Sequence, residues 1–179
     1  MRVKRFEEFI NEDKDQVHEY GCVMLYFDFP EMNKIHDMID SADVYTEGDG
    51  SSFGIETEPH VTLLYGLHST VLDSSVKEAL SSIEFSKCTL TNASLFENKF
   101  DVLKFDVSGE SIYTANKELT KLPYTSDYPD YHPHMTISYL KKGTGSRYVK
   151  SLKSTEFKIK PSHIMYSKPN GDKIRMELK

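Results

Sequence analysis

The sequence has no tryptophan, only two cysteines, and fewer basic than acidic side chains. Each scarcity excludes something. Cys22 and Cys88 lie in apolar, strand-like stretches, and no CxxC or Cys/His grouping has the spacing of a zinc site. Both are expected to be buried free thiols of a reducing compartment, so a cytoplasmic location is expected. With 22 Lys and Arg against 28 Asp and Glu, the formal net charge is −6. Long nucleic acid is therefore not an expected partner, and a small anionic ligand must be held by local donors instead. No apolar run approaches the roughly 20 residues of a membrane span, so no membrane partner is expected. The first ten residues begin basic and turn acidic without an apolar h-region, which does not fit a secretory signal. Phe6, Phe9 and Ile10 fall on one face of a short amphipathic helix. Residues 1–19 are thus expected to form a helix and linker ahead of one domain over 20–179.

What is present suits a globular domain: 179 residues, 38% hydrophobic and 28% charged, enough to bury a core without staples. Residues 21–29 form an apolar, aromatic-rich run stopped by Pro30, a strand buried on both faces. Met32, Ile35, Met38 and Ile39 recur at helical spacing. Residues 45–58 are polar and Gly-rich and are expected to be a mobile loop. A strand starts at His60, and 73–84 follows as a helix with Val76, Leu80 and Ile83 inward. Strands over 86–97 and 100–108 flank a turn at Asn98-Lys99, and 111–122 reads as a helix. Residues 123–133 are a loop dense in Pro, Tyr and Asp. A strand over 134–140, a short helix over 146–153, and two strands about Pro169-Asn170-Gly171-Asp172 close the chain. Helices alternate with strands, yet several strands are hairpin neighbours. The expected class is α+β with a largely antiparallel sheet.

Two segments carry the chemistry: Pro59-His60-Val61-Thr62-Leu63 and Pro133-His134-Met135-Thr136-Ile137. On a strand, residues two apart face the same way, so each His and Thr share a face while the apolar residues between and after them face the core. A bare His-x-Thr arises by chance about 0.5 times in such a sequence; two copies with apolar residues at the second and fourth positions have a probability of roughly 0.002. His68-Ser69-Thr70 lacks the apolar middle, follows Gly66, and reads as a loop. The two segments stand about 74 residues apart, each behind a proline-ended loop, which suggests one lobe used twice across a cleft. Two imidazoles suit cleavage of a phosphodiester beside a 2′-hydroxyl, one taking the 2′ proton and the other protonating the departing oxygen. The two threonine hydroxyls would hold the non-bridging oxygens. This chemistry needs no metal or other cofactor, and Asp127 and Asp130, near His134, read as loop residues. Which imidazole is acid and which is base stays open.

The paired His-hydrophobic-Thr segments, on strands of a duplicated domain, resemble those of the 2H phosphoesterase superfamily. In length and layout, from about Gly21 onward, the chain is most similar to the phage anti-CBASS nucleases that destroy cyclic oligonucleotide signals. That resemblance implies a bilobal LigT-like fold, two pseudo-symmetric, mostly antiparallel sheets about a central cleft with helices outside. It also implies catalysis by His60, Thr62, His134 and Thr136 and a cyclic oligonucleotide as substrate. An RNA 2′,3′-cyclic phosphodiesterase, or a protein that sequesters nucleotides without cutting them, are the alternatives. Bases need flat surfaces: Tyr26, Phe96, Phe100 and Tyr166 are the candidate substrate-binding residues. Tyr124, Tyr128 and Tyr131 could form a lid. Tyr65 and Tyr139 stand five residues after His60 and His134, an odd offset that on a regular strand turns them to the opposite face and towards the core. His132 is read as exposed, and His18, His36 and His163 are without an assigned role.

Overall fold

The computed structural model describes residues 18–47, 52–126, 128 and 130–178; the expected N-terminal helix falls outside them. The elements run β1 (Gly21–Asp28), α1 (Met32–His36), the short pair β2 (Thr46–Glu47) and β3 (Ser52–Phe53), β4 (His60–Leu67), α2 (Asp73–Leu80), β5 (Cys88–Glu97), β6 (Asp101–Ser108), α3 (Glu110–Leu119), β7 (His134–Leu140), α4 (Gly145–Leu152), β8 (Phe157–Ser167) and β9 (Lys173–Glu177). The main strand order is β4-β1-β8-β5-β6-β7, with β9 also on β8 and every pairing antiparallel. The expected α+β class is thus the observed one. β8 joins the two halves: Phe157 to Ile159 pair with β5, and the rest pairs with β1 and, farther on, β9. One lobe is built on β4 and β1, the other on β6 and β7, and β4 and β7 come side by side without pairing. Helix α3 packs on β4, and α4 on β5 and β6.

The motif strands alternate as their sequences require. Val61 and Leu63 on β4, and Met135 and Ile137 on β7, are fully buried in the main core, while His60, Thr62 and His134 stay half-buried. Each strand then carries a bulge at the same place. Across β1 and β4, Met24 faces Thr62 but Val23 faces Leu64, leaving Leu63 as the extra residue. Across β6 and β7, Lys104 faces Thr136 but Leu103 faces Ser138, leaving Ile137 extra. An extra residue reverses the later side chains of a strand relative to its partner. Tyr65 therefore stands opposite Cys22, and Tyr139 opposite Val102, on the histidine side of each sheet. The odd-offset rule fails at both tyrosines for that reason.

The loop ahead of each motif runs along the other lobe's motif strand. Tyr45 N–H donates to the Tyr139 carbonyl, Tyr139 N–H to the Gly54 carbonyl, and Glu56 N–H to the Ile137 carbonyl, at 2.9, 2.7 and 3.1 Å. Described residues of 45–58 are thus docked on the free edge of β7, where an open strand edge offers unpaired backbone groups. This corrects the mobile loop expected from composition for residues 45–47 and 52–58, while Gly48, Asp49, Gly50 and Ser51 lie outside the described residues. In return, Thr125 N–H donates to the Gly66 carbonyl at 2.9 Å, and the Tyr131 hydroxyl to the Thr62 carbonyl at 2.9 Å. Gly66 has φ +108°, and a Cβ there would lie 1.9 Å from the Thr125 carbonyl oxygen. Only glycine admits that approach.

Candidate active site

The two imidazoles are held alike. His60 Nδ1 bonds the Glu58 carbonyl at 2.7 Å, and His134 Nδ1 bonds the His132 carbonyl at 3.0 Å. A carbonyl can only accept, so each Nδ1 carries the proton and each Nε2 is left as the nitrogen for proton exchange. The rings are near enough for the charge of one to act on the other. Burial first, then the Lys104 and His60 charges, lower the pKa of His134, against the His132 carbonyl and Asp106, which raise it. The sequence places these residues in separate halves; the fold brings them together where β4 meets β7.

Their supports differ between lobes. His60 is opposite Tyr26 on β1, and the rings lie 5.4 Å apart at 34°. The corresponding partner of His134 is Asp106 on β6. Asp106 accepts from Lys104 Nζ at 2.8 Å and from Asn92 Nδ2 at 2.6 Å. Burial opposes ionisation of Asp106, yet these donors hold its carboxyl below the usual range. Lys104, only 9% exposed, sits opposite Thr136 and places its ammonium 4.8 Å from the Phe96 ring centroid. Phe96 meets His134 edge to face at 5.0 Å. Tyr139, three residues after Thr136 on β7, is 3% exposed, and burial pushes its phenol pKa above the ordinary range.

Of the four expected base-binding rings, Tyr26 and Phe96 lie beside the imidazoles, and two are corrected. Phe100 is 2% exposed, enclosed by Tyr45, Phe53 and Tyr139 in a satellite core under the β2–β3 pair. Tyr166 is 1% exposed within the main core, its hydroxyl 3.5 Å from the Val71 carbonyl. Neither ring offers a face to a base. Tyr26 is 8% exposed, its ring shared between His60 and His163. Tyr131 is spent on Thr62, while Tyr124 and Tyr128 are exposed; Asp127 is outside the described residues. His68 lies beyond β4 with Nε2 2.9 Å from Thr125 Oγ1, as its loop reading requires. Cys22 and Cys88 are free thiols, and burial pushes Cys88 up to about 11. Among the described residues, no three His, Cys, Asp or Glu side chains gather as metal ligands, and no helix is long and apolar enough to cross a membrane.

Sequence reasoning missed Lys104, Asp106 and His163. The first two could have been found by pairing the 100–108 strand with the 134–140 strand, since even-numbered residues of the former then share the His134 face. His163 gives no such signal, because its neighbour in space, Tyr26, is 137 residues away in sequence.

Residues 55–172, which include both motifs, match the family model described as "Anti-CBASS protein Acb1". No protein of curated function matches by sequence. Among solved structures, Usb1 of Kluyveromyces marxianus is similar at TM-score 0.53 and 12% identity, covering 90% of this chain and 99% of that one. The same protein with uridine monophosphate gives 0.54 and 13%, with the same coverage. E. coli LigT complexed with 3′-AMP gives 0.47 and 13%, covering 90% and 97%. The fold is that of the 2H phosphoesterases.

Proposed function

We propose, on the premise that the chain belongs to the anti-CBASS protein Acb1 family, that it cleaves 3′–5′ bonds of cyclic di- or trinucleotide signals through attack by the ribose 2′-hydroxyl. By this reading it works in the cytoplasm of an infected bacterium and silences a nucleotide-signalled defence. The observation that carries it is the matched pair of imidazoles, each with Nδ1–H on a backbone carbonyl, His60 being close enough for its charge to act on His134. Kluyveromyces Usb1 was solved with a mononucleotide in the same fold, which supports a nucleotide-sized ligand.

The asymmetry of the lobes suggests the division of labour. His134, whose pKa is lowered, is neutral at pH 7 and takes the 2′ proton on Nε2 as the 2′ oxygen bonds phosphorus. His60, in its charged form with a second proton on Nε2, then donates that proton to the departing 5′ oxygen. The P–O5′ bond breaks, leaving a 2′,3′-cyclic phosphate and a free 5′-hydroxyl. Thr62 and Thr136 hold the non-bridging oxygens, and the Lys104 ammonium beside Thr136 offsets the charge that grows there. Phe96 offers a partly exposed ring to a base, and Tyr26 contributes through its hydroxyl edge, since His60 and His163 lie against its ring. Incubation with a panel of cyclic oligonucleotides and with 2′,3′-cyclic-ended RNA, read by mass spectrometry, tests the assignment. Linearised cyclic oligonucleotide supports it. Turnover of the RNA end alone would favour RNA processing, and unchanged ligand retained on the protein would favour sequestration.

A further inference from the structure

His163 lies on β8 in register with Tyr26 on β1, and Tyr26 is in register with His60 on β4. The three side chains thus form one row across three adjacent strands, on one face of the sheet. The His163 and Tyr26 rings are stacked, 4.7 Å apart and 11° from parallel. Tyr26 in turn lies 5.4 Å from His60, tilted by 34°. His163 and His60 stand two strand spacings apart, about 10 Å, too far for direct contact. Whatever His163 does to His60 passes through the tyrosine ring.

Three features make the row more than packing. His163 is anchored by its own hydrogen bond, Nδ1 to Ser162 Oγ at 2.9 Å. Around it stand Arg175 and Glu177 on β9, Glu58 ahead of β4 and Asp28 on β1; burial and Arg175 lower its pKa against the three carboxylates. A neutral imidazole stacks flat on a phenol ring without a charge to solvate. The other lobe repeats the device with different parts: His134 rests on the Phe96 ring, and Phe96 is capped by the Lys104 ammonium. Each motif imidazole therefore leans on one aromatic ring, and each ring is backed by a nitrogenous side chain.

We propose that His163 is a positioning residue for His60, acting through the ring of Tyr26. The inference rests on the reading of His60 as catalytic. The His163 ring fixes the Tyr26 plane, and that plane, with the Glu58 carbonyl, leaves His60 a single ring orientation. With His163 removed, Tyr26 can rotate into the vacated space and His60 loses one wall of its seat. Nε2 is then aimed at the leaving oxygen for only part of the time, a loss of orientation that costs rate more than binding.

The test has two arms. In the ligand-free protein, nitrogen-15 NMR of the histidine rings reads the His60 tautomer directly. At a pH where the His60 ring is neutral, the wild type should show one Nδ1–H tautomer, and His163→Ala a mixture with exchange-broadened ring signals. His163→Phe, which keeps a flat ring on Tyr26, should restore the single tautomer. With a cyclic oligonucleotide substrate, His163→Ala should lower kcat by about 10-fold with KM within about two-fold, and His163→Phe should recover most of kcat. If His163→Ala fails to fold, His163→Gln removes the aromatic stack while keeping a polar partner for Ser162, with the same expected outcome. An unaltered His60 tautomer in both Ala and Gln variants, or no rescue by Phe, overturns the proposal. The NMR arm needs no substrate, so a wild type that cleaves nothing would refute the proposed function and leave this question decided by the spectra.

Discussion

The carbonyls of Pro59 and Pro133 occupy equivalent places in opposite lobes. Pro59 accepts from Phe27 N–H at 2.9 Å, and Pro133 from Val107 N–H at 3.0 Å. Each bond ties the residue before a motif histidine to the neighbouring strand, one position past the residue opposite that histidine. Proline has no N–H to offer, so its carbonyl is the group that can close the ladder there. Together with the bulges at Leu63 and Ile137, these bonds show one motif architecture built twice.

From that duplication follows equal dependence on both halves. His60→Ala and His134→Ala should each lower kcat by at least about 100-fold, the scale of general acid–base catalysis. Circular dichroism and thermal melts should stay near wild type, because neither ring belongs to a hydrophobic core. Steady-state kinetics checks this; full activity in either variant contradicts the pairing.

The pH profile has a definite sign. In the proposed mechanism His134 acts as base in its neutral form, and its pKa lies below the ordinary 6.5 chiefly through burial and then through Lys104 and His60. The acid limb of kcat/KM should therefore fall below pH 6.5. Lys104→Met removes a nearby positive charge and leaves the Asp106 carboxylate behind, so the His134 pKa rises and the acid limb moves to higher pH. The same variant should lose rate through the phosphate charge it no longer offsets. An acid limb that does not move would remove Lys104 from the electrostatics of the site.

How much of this was legible beforehand depended on the range of each signal. The histidine and threonine faces of β4 and β7 follow from a two-residue period, so they could be read from four consecutive residues. The helices at 73–80 and 110–119 followed from apolar spacing in the same way. Tyr139 is in a core as expected, at 3% exposure, but the sheet face of both Tyr65 and Tyr139 was misjudged because a bulge is a property of two strands, and the neighbouring strand is not visible in a local pattern. Phe100 and Tyr166 went wrong differently: aromatic residues on strands serve cores and clefts equally, and only the docking of Tyr45 and Phe53 shows that Phe100 is covered. The role of β7's open edge in recruiting Tyr45, Gly54 and Glu56 was likewise hidden, since the composition around them alone describes a loop.

Core and cleft aromatics should separate on mutation. Phe100→Ala should destabilise the fold by about 3–5 kcal/mol, the usual cost of emptying a buried aromatic site. Phe96→Ala, at a partly exposed ring, should cost less stability and more activity, raising KM for the nucleotide. Urea unfolding and kinetics on the two variants decide it, and the reverse ranking would place Phe96 in the core.

Turnover should persist in excess EDTA, because in the proposed mechanism two imidazoles and the substrate's own 2′-hydroxyl supply every proton transfer and the nucleophile. Loss of activity on chelation, restored by zinc or magnesium, would contradict this. A cyclic dinucleotide with 2′-deoxyribose at both positions should bind and resist cleavage.

That inert analogue offers the most direct measurement of all, a crystal structure of the protein with the 2′-deoxy cyclic dinucleotide bound. The account predicts one phosphate group between the lobes, with His60 Nε2 and His134 Nε2 both within hydrogen-bond reach of its oxygens and the Thr62 and Thr136 hydroxyls on the non-bridging pair. A phosphate seated on one imidazole alone, or a ligand bound away from the junction of β4 and β7, would contradict it.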